Sequence, residues 1–377
     1  MNVGAMTRRI LGRGEFFSVL VIVLMSVYVA TKSSAFLSSD NIDSLLLAVS
    51  TIVFVAIGEA FVLMLGEIDL SVAAIIAFSG VIAAWLAGQG LTPWLAVVVG
   101  VAAGTFVGFV NGLIIVFGHV HSFIVTLGVM SVVEGITLLI TGGLPINMPQ
   151  QVWSLGQWQA GGLQTPVFMM VGMIVLFQIV LSGSVFGRRV LFTGGNGEAA
   201  RLAGIPVRST RLMVFMLAGT LSGFAGVVLA AQLGSASADA GSSLLLPLIA
   251  AAVVGGVSML GGRGSMLGVF LGSILLGIVG NAFVILNLSA FWQQATYGAV
   301  VVAAGIIDQV RQGRMRMRAL QGLLSRMRHS KTSDVGESAR LSVAQSTSSQ
   351  SEEEDASLAL VEHSELPATA IDDRGGA

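Results

Sequence analysis

No cysteine occurs in the 377 residues. Disulfides, thiolate nucleophiles, Cys-ligated zinc and iron–sulfur clusters are all excluded by that absence. Lysine is nearly as scarce. Lys32 and Lys331 are the two present, and neither closes a G-x-x-x-x-G-K-[ST] phosphate loop, so the chain carries no such nucleotide site. The residues 262–268, Gly-Arg-Gly-Ser-Met-Leu-Gly, mimic a dinucleotide fingerprint but are one residue too long and join two apolar runs. No G-x-S-G serine and no intramembrane pair of aspartates is present to support a membrane hydrolase. Charge is thin as well: Asp, Glu, Lys and Arg make up 10% of the chain, against about 25% in a soluble domain. Residues 309–377 hold 19 of the 39 charged side chains, so the preceding 308 residues are nearly charge-free. The net charge of −1 therefore averages two unlike parts and points to no partner; no nucleic-acid partner is expected.

What is present is long apolar runs. A membrane helix needs about 20 mostly apolar residues, and that ruler places ten spans near 16–36, 44–65, 70–88, 93–117, 121–141, 166–183, 212–233, 244–261, 265–287 and 291–308. Arg8, Arg9 and Arg13 precede the first run without a small-residue cleavage pattern, which reads as a retained first span. Arginine in short membrane loops marks the cytoplasmic side. With the N-terminus inside, parity returns the chain inside at residues 184–211, at Arg263 and at Arg311, Arg314, Arg316 and Arg318. The segments left outside, near 37–43, 89–92, 142–165, 234–243 and 288–290, contain no Lys or Arg. Glycines recur at helical spacing in three runs: Gly100, Gly104 and Gly108 (followed by Asn111), Gly219, Gly223 and Gly226, and Gly268 and Gly272. Small residues at that spacing let helices approach closely in lipid.

The arginine-rich stretch 184–211 carries Arg188, Arg189, Arg201, Arg208 and Arg211 and contains a short helix with its own punctuation. Asn196 is the expected N-cap, Glu198 sets a carboxylate against the positive end of the dipole, and Gly204 closes the last turn before Pro206. A helix over 197–203 would be about 10 Å long, too short to cross a membrane. Glu198-Ala199-Ala200, three residues and Gly204 resemble the E-A-A-x-x-x-G coupling motif of ABC-importer permeases, and the wider Gly194–Ile205 stretch resembles the version in ribose-type sugar permeases.

Residues 66–72, Gly-Glu-Ile-Asp-Leu-Ser-Val, interrupt an otherwise continuous apolar run, and Asp69 with Ser71 reads as a capped turn into the third span. Gly66, Asp69 and Ser71 are similar to the G-G-I-D-L-S-V-G signature of the same family, with Glu67 and Ala73 standing where glycines are usual. Asn111-Gly112-Leu113, the residues 123–128, Thr141-Gly142-Gly143, the residues 249–256 and Gly261-Gly262-Arg263-Gly264 extend the resemblance across roughly 44–308. It implies an all-α polytopic fold of about ten spans, of the type II-like importer class, in which Asn196, Glu198, Ala199, Ala200, Arg201 and Gly204 couple the membrane helices to a partner ATP-binding subunit. It also implies a second permease subunit, identical or different, and an external solute-binding protein. The implied location is the bacterial inner membrane with both termini cytoplasmic. ATP and magnesium would be held by the partner, with no cofactor or metal on this chain.

Thr126, Met130, Glu134, Thr137 and Thr141 form a polar stripe on the fifth span, which should face protein or a water-filled path. Glu134, Thr126 and Thr137, with Glu59, Asn111, Gln293 and Gln294, are the candidates for contact with a solute. An alternative reading, a self-sufficient ion-coupled carrier, would use Glu134 and Glu59 as proton or sodium sites. Trp153 and Trp158 read as interfacial anchors. His119 and His121, two residues apart without a third ligand, read as interface polarity. Residues 311–331 are basic enough to lie against anionic headgroups, and 332–377 lack the apolar surface to order themselves.

Overall fold

The computed structural model describes residues 13–310 and 313. The basic and acidic tail readings and Arg8 and Arg9 lie outside the described residues. In chain order the helices are α1 (Arg13–Lys32), α2 (Ser39–Met64), α3 (Val72–Gly88), α4 (Pro93–Gly118), α5 (Ser122–Thr141), α6 (Ser154–Gln157), α7 (Thr165–Gly183), α8 (Val185–Gly195), α9 (Gly197–Leu202), α10 (Val207–Leu233), α11 (Leu245–Val254), α12 (Met266–Ile285) and α13 (Ala290–Val310). Seven of them, α2, α4, α5, α7, α10, α12 and α13, are long and apolar enough to cross a membrane. Three shorter apolar helices, at Ser18–Lys32, Val72–Gly88 and Ser242–Val254, fall on the remaining expected segments.

Helix α2 is the axis of the bundle. Every residue from Val49 to Leu65 is buried, and α3, α7, α10, α11 and α12 share its core. By contrast the apolar window of α5 is 22% buried and that of α13 only 6%. These two helices are rims, and their outward Leu, Ile and Val side chains suit lipid or another apolar partner.

The glycine runs seat α4 against α10. A Cβ on Gly104 would lie 2.7 Å from the Gly219 carbonyl oxygen and 2.8 Å from the Gly223 Cα. Gly100 meets the Ser79 carbonyl of α3 at 2.6 Å in the same sense, and Gly108 faces Phe215 and Gly219. Backbone cannot yield as a flexible side chain can. Gly104→Val is therefore expected to destabilise the bundle by about 2–3 kcal/mol, read as a lowered unfolding midpoint of the purified protein, whereas Gly128→Ala, with nothing within 4 Å, leaves it unchanged.

Two expected boundaries are corrected. The eighth segment does not continue to 261, because α11 ends at Val254. Gly255 packs on the backbone of Gly268, and Gly256, Gly261 and Gly262 adopt φ of +89°, +84° and +74°, so the chain turns instead of spiralling on. The seventh helix begins at Val207, five residues earlier than 212, so α10 carries Arg208 and Arg211 on its first turns.

The expected two-sidedness is visible in which loops touch. Strand β1 (Ile146–Asn147) pairs antiparallel with β4 (Ser235–Ala236), joining the two segments 142–165 and 234–243. Asn41 and Asn281 exchange side-chain hydrogen bonds of 3.2 and 2.7 Å. Between β1 and β4 in the chain, β2 (Gln159–Ala160) and β3 (Leu163–Gln164) form a hairpin across Gly161 and Gly162, whose φ of +58° and +85° match a type I′ turn. On the opposite side, Gly262 N–H donates to Met64 O at 2.8 Å, and Ile68 N–H to Ser122 Oγ at 3.4 Å. Segments assigned to one side thus meet one another.

Candidate functional site

The arginine-rich face presents α9. Asn196 sits in extended backbone (φ −161°, ψ 99°) and its Oδ1 accepts the Ala199 N–H at 3.0 Å, the expected N-cap. At the other end the Gly204 N–H donates to Arg201 O and the Ile205 N–H to Ala200 O, both at 3.0 Å, with Gly204 at φ +79°. That double closure around a left-handed glycine is a Schellman motif. Glu198 and Arg201 form a 2.7 Å ion pair on the solvent face, and the hydrogen bond with Glu198 raises the Arg201 pKa further.

Six residues with both ends capped make a rigid stub. Ala200 is its buried contact, while Glu198, Ala199, Arg201, Ala203 and Gly204 are exposed and Leu202 is 80% exposed. A Cβ at Gly197 or Gly204 would meet nothing within 4 Å. The helix is therefore open to a second protein. Directly before it stands α8, an amphipathic helix absent from the sequence expectation, capped by Ser184 Oγ on the Gly187 N–H at 3.0 Å.

Behind α9 the loops interlock without side chains. Gly194, at the end of α8, abuts the Met64 carbonyl and Gly262 N. Gly261 leaves room for Gly194 O and Gly66 N, at 2.6 and 2.9 Å from its missing Cβ. The 66–71 turn is thus clamped between the arginine-rich stretch and the 255–264 loop. Arg211 of α10 adds a 2.5 Å ion pair with Glu67, whose side chain is 9% exposed. Glu67 and Arg211 lie far apart in the sequence, and the one signal for the pair was an acid where glycine is usual; nothing singled out Arg211 among the five arginines of 184–211.

One step deeper lies a cluster that brings several expected residues together. Asp69 Oδ1 accepts from Ser71 N–H at 2.9 Å and Ser71 Oγ at 2.6 Å, which closes the turn ahead of α3, whereas the cap bond expected there is not made: Ser71, the N-cap of α3, has no side-chain bond to the helix. Ser71 Oγ in turn accepts from Asn111 Nδ2 at 2.7 Å. The Asp69 N–H donates to Glu59 Oε1 at 3.4 Å. Glu59, Asp69, Ser71 and Asn111 have no solvent exposure, and burial pushes the Asp69 carboxyl up to about 6 against the lowering pull of the two Ser71 hydrogen bonds. Thr126 joins from α5, its Oγ1 accepting the Leu70 N–H at 3.2 Å.

The other solute candidates do not converge there. Glu134 is half-buried on α5. Thr137, fully buried, returns its hydroxyl to its own helix at Val133 O, 2.6 Å away. Gln293 donates to Tyr297 Oη at 3.1 Å, and Gln294 is exposed on the rim helix α13. His121 caps α5 through Nδ1 and the Phe123 N–H at 3.3 Å, while His119 ends α4 in the left-handed region at φ +54°. Among the described residues no three of His, Cys, Asp and Glu come together as a metal-ligand set. Trp153 is tied inward, Nε1 to Met148 O at 2.9 Å, whereas Trp158 is 58% exposed.

Many apolar helices, paired loops on two faces and a capped stub helix on one face define a multi-pass membrane permease. Residues 41–305 match the family described as "Branched-chain amino acid transport system / permease component". The L-arabinose ABC transporter permease AraH of Azospirillum brasilense is 38% identical over 299 residues, 79% of this chain and 88% of that protein. The ribose import permease RbsC of Bacillus subtilis (strain 168) is 37% identical over 301 residues, 78% and 92% of the two chains. RbsC of Escherichia coli (strain K12) is 32% identical over 300 residues, 78% and 94%. The chain belongs to this family of ABC-transporter permease subunits, in its ribose-type sugar branch.

Proposed function

We propose that the chain is the membrane subunit of an ATP-driven, binding-protein-dependent importer in the bacterial inner membrane, with both termini cytoplasmic. Its cargo is a sugar or sugar-like solute, the class to which the arabinose and ribose of its relatives' names belong. The observation that carries the reading is α9, a doubly capped stub that buries Ala200 and exposes Glu198, Ala199, Arg201 and Leu202. Asn196 and Gly204 fix its ends, Glu198 and Arg201 its solvent face, and Ala199 and Leu202 the surface that enters a groove on an ATP-binding subunit.

The clamp of Gly194, Gly66 and Gly261 then turns a push on α9 into movement of the α2–α3 turn. A second permease subunit, identical or different, completes the pathway, and an external binding protein delivers the solute to the opposite face. ATP and magnesium belong to the partner. Glu134, half-buried on α5, is the member of the candidate set that walls the path in this reading; Glu59, Asn111, Thr126 and Thr137 are buried in this conformation.

Reconstitution tests the reading. In liposomes the chain alone should move no pentose or hexose under a sodium or proton gradient. Addition of the ATP-binding subunit, binding protein and ATP should switch uptake on. Gradient-driven uptake by the chain alone would instead support the ion-coupled carrier.

A further inference from the structure

Helix α8 leaves one face uncovered. It buries Gly187, Val190 and Thr193, while Val185 is 54% and Phe192 62% exposed. A helix turns about 100° per residue, so Val185 and Phe192 lie about 20° apart, with Arg188 about 40° beyond Phe192 and Arg189 about 40° beyond Val185. The face is thus an apolar centre with a guanidinium on each flank. Arg188 is exposed and Arg189 half-buried, and among the described residues neither has an acidic partner. Helix α9 shows no such pattern, since its one arginine is already paired with Glu198.

Two contacts set the depth of this face. Ser184 ends α7 and caps α8, so a single residue separates α8 from a helix long and apolar enough to span the membrane. Arg188 Nη1 donates to the carbonyl of Gly183, the last residue of that span, at 3.4 Å. The guanidinium therefore sits at the level where the span leaves the hydrocarbon, on the same side of α8 as Phe192. A helix with an apolar centre and basic flanks lowers that centre into the headgroup boundary and offers its cations to phosphate.

We infer that α8 lies in the membrane interface and binds an anionic phospholipid, with Val185 and Phe192 against the upper acyl carbons and Arg188 and Arg189 on the headgroup phosphate. The site rests on the membrane fold alone, so its failure leaves the coupling role of α9 untouched.

The test uses the full-length permease in nanodiscs of phosphatidylcholine with increasing phosphatidylglycerol. A lipid bound to the folded state raises the unfolding midpoint by mass action, and the rise should saturate. Arg188→Gln or Arg189→Gln should raise the half-saturating phosphatidylglycerol fraction about 5-fold, and the double change roughly 30-fold. Arg201→Gln should respond as the wild type does. In pure phosphatidylcholine all four should unfold together, which separates a lost lipid contact from a loosened bundle. A Phe192→Cys variant carrying an environment-sensitive fluorophore, on a chain with no other thiol, should be quenched by spin-labelled lipid and shielded from iodide. Quenching by iodide and not by lipid, or a double variant with the wild-type lipid response, would overturn the site. A double variant that keeps the lipid response but loses the ATP-binding subunit would overturn it in favour of a protein partner.

Discussion

Leu202→Asp should weaken attachment of the ATP-binding subunit about 30-fold while leaving the permease folded. Leu202 is 80% exposed at the last turn of α9 and touches nothing whose loss would loosen the bundle. Surface substitutions of that kind move stability by about 0.5 kcal/mol or less. At the centre of a docking patch the same change buries an unpaired carboxylate, and such positions carry about 2 kcal/mol or more, roughly 30-fold in affinity. Co-purification with the ATP-binding subunit and solute-stimulated ATP hydrolysis should both fall by that factor, with an unchanged unfolding midpoint. Full solute-stimulated hydrolysis in the variant would remove α9 from the docking surface.

The second large effect is expected at Glu67 and Arg211. Their ion pair is 2.5 Å long and lopsided in exposure, 9% for the Glu67 side chain and 39% for Arg211. Removing the arginine strands a nearly buried carboxylate, which is the expensive way to break a pair. Because Arg211 is itself partly solvated, Arg211→Ala should cost about 1–3 kcal/mol, less than a fully buried pair would. Glu67→Arg should cost as much, by setting two arginines together. Combined as Glu67→Arg with Arg211→Glu, the charges pair again, and the unfolding free energy should recover by about 1–2 kcal/mol over the sum of the single changes. Strict additivity would show that the contact does not couple α10 to the α2–α3 turn.

Much of this architecture was legible because lipid imposes a simple ruler. Each of the ten apolar runs became a helix, and arginine placement sorted the loops into the two sets that touch in the structure. The caps of α9 were legible too, since Asn196 and Gly204 act within four residues of their targets. What hydropathy could not see was polar structure outside the spans. Helix α8 carries Arg188 and Arg189 and fell below any apolar threshold, and the β1–β4 pairing joins segments about 90 residues apart.

The candidate site divides along the same line. Asp69 and Ser71 announced a turn by their local spacing. Their union with Glu59 and Asn111 depends on α2 and α4 packing against the same turn, which no periodicity within one helix reveals. Gln293 and Gln294 stand apart from that cluster for the converse reason: α13 is the least buried of the seven long helices, and Gln293 donates to Tyr297 one turn on. The eighth segment ran long because hydropathy ignores the left-handed glycines that end α11.

The absence of native cysteine makes the decisive measurement clean. A single Ala199→Cys substitution places one thiol on the exposed face of α9. A membrane-impermeant maleimide should label it in inside-out vesicles, leave it untouched in intact cells, and be blocked when the ATP-binding subunit is bound. Labelling from the outside, or labelling indifferent to that subunit, would contradict the account.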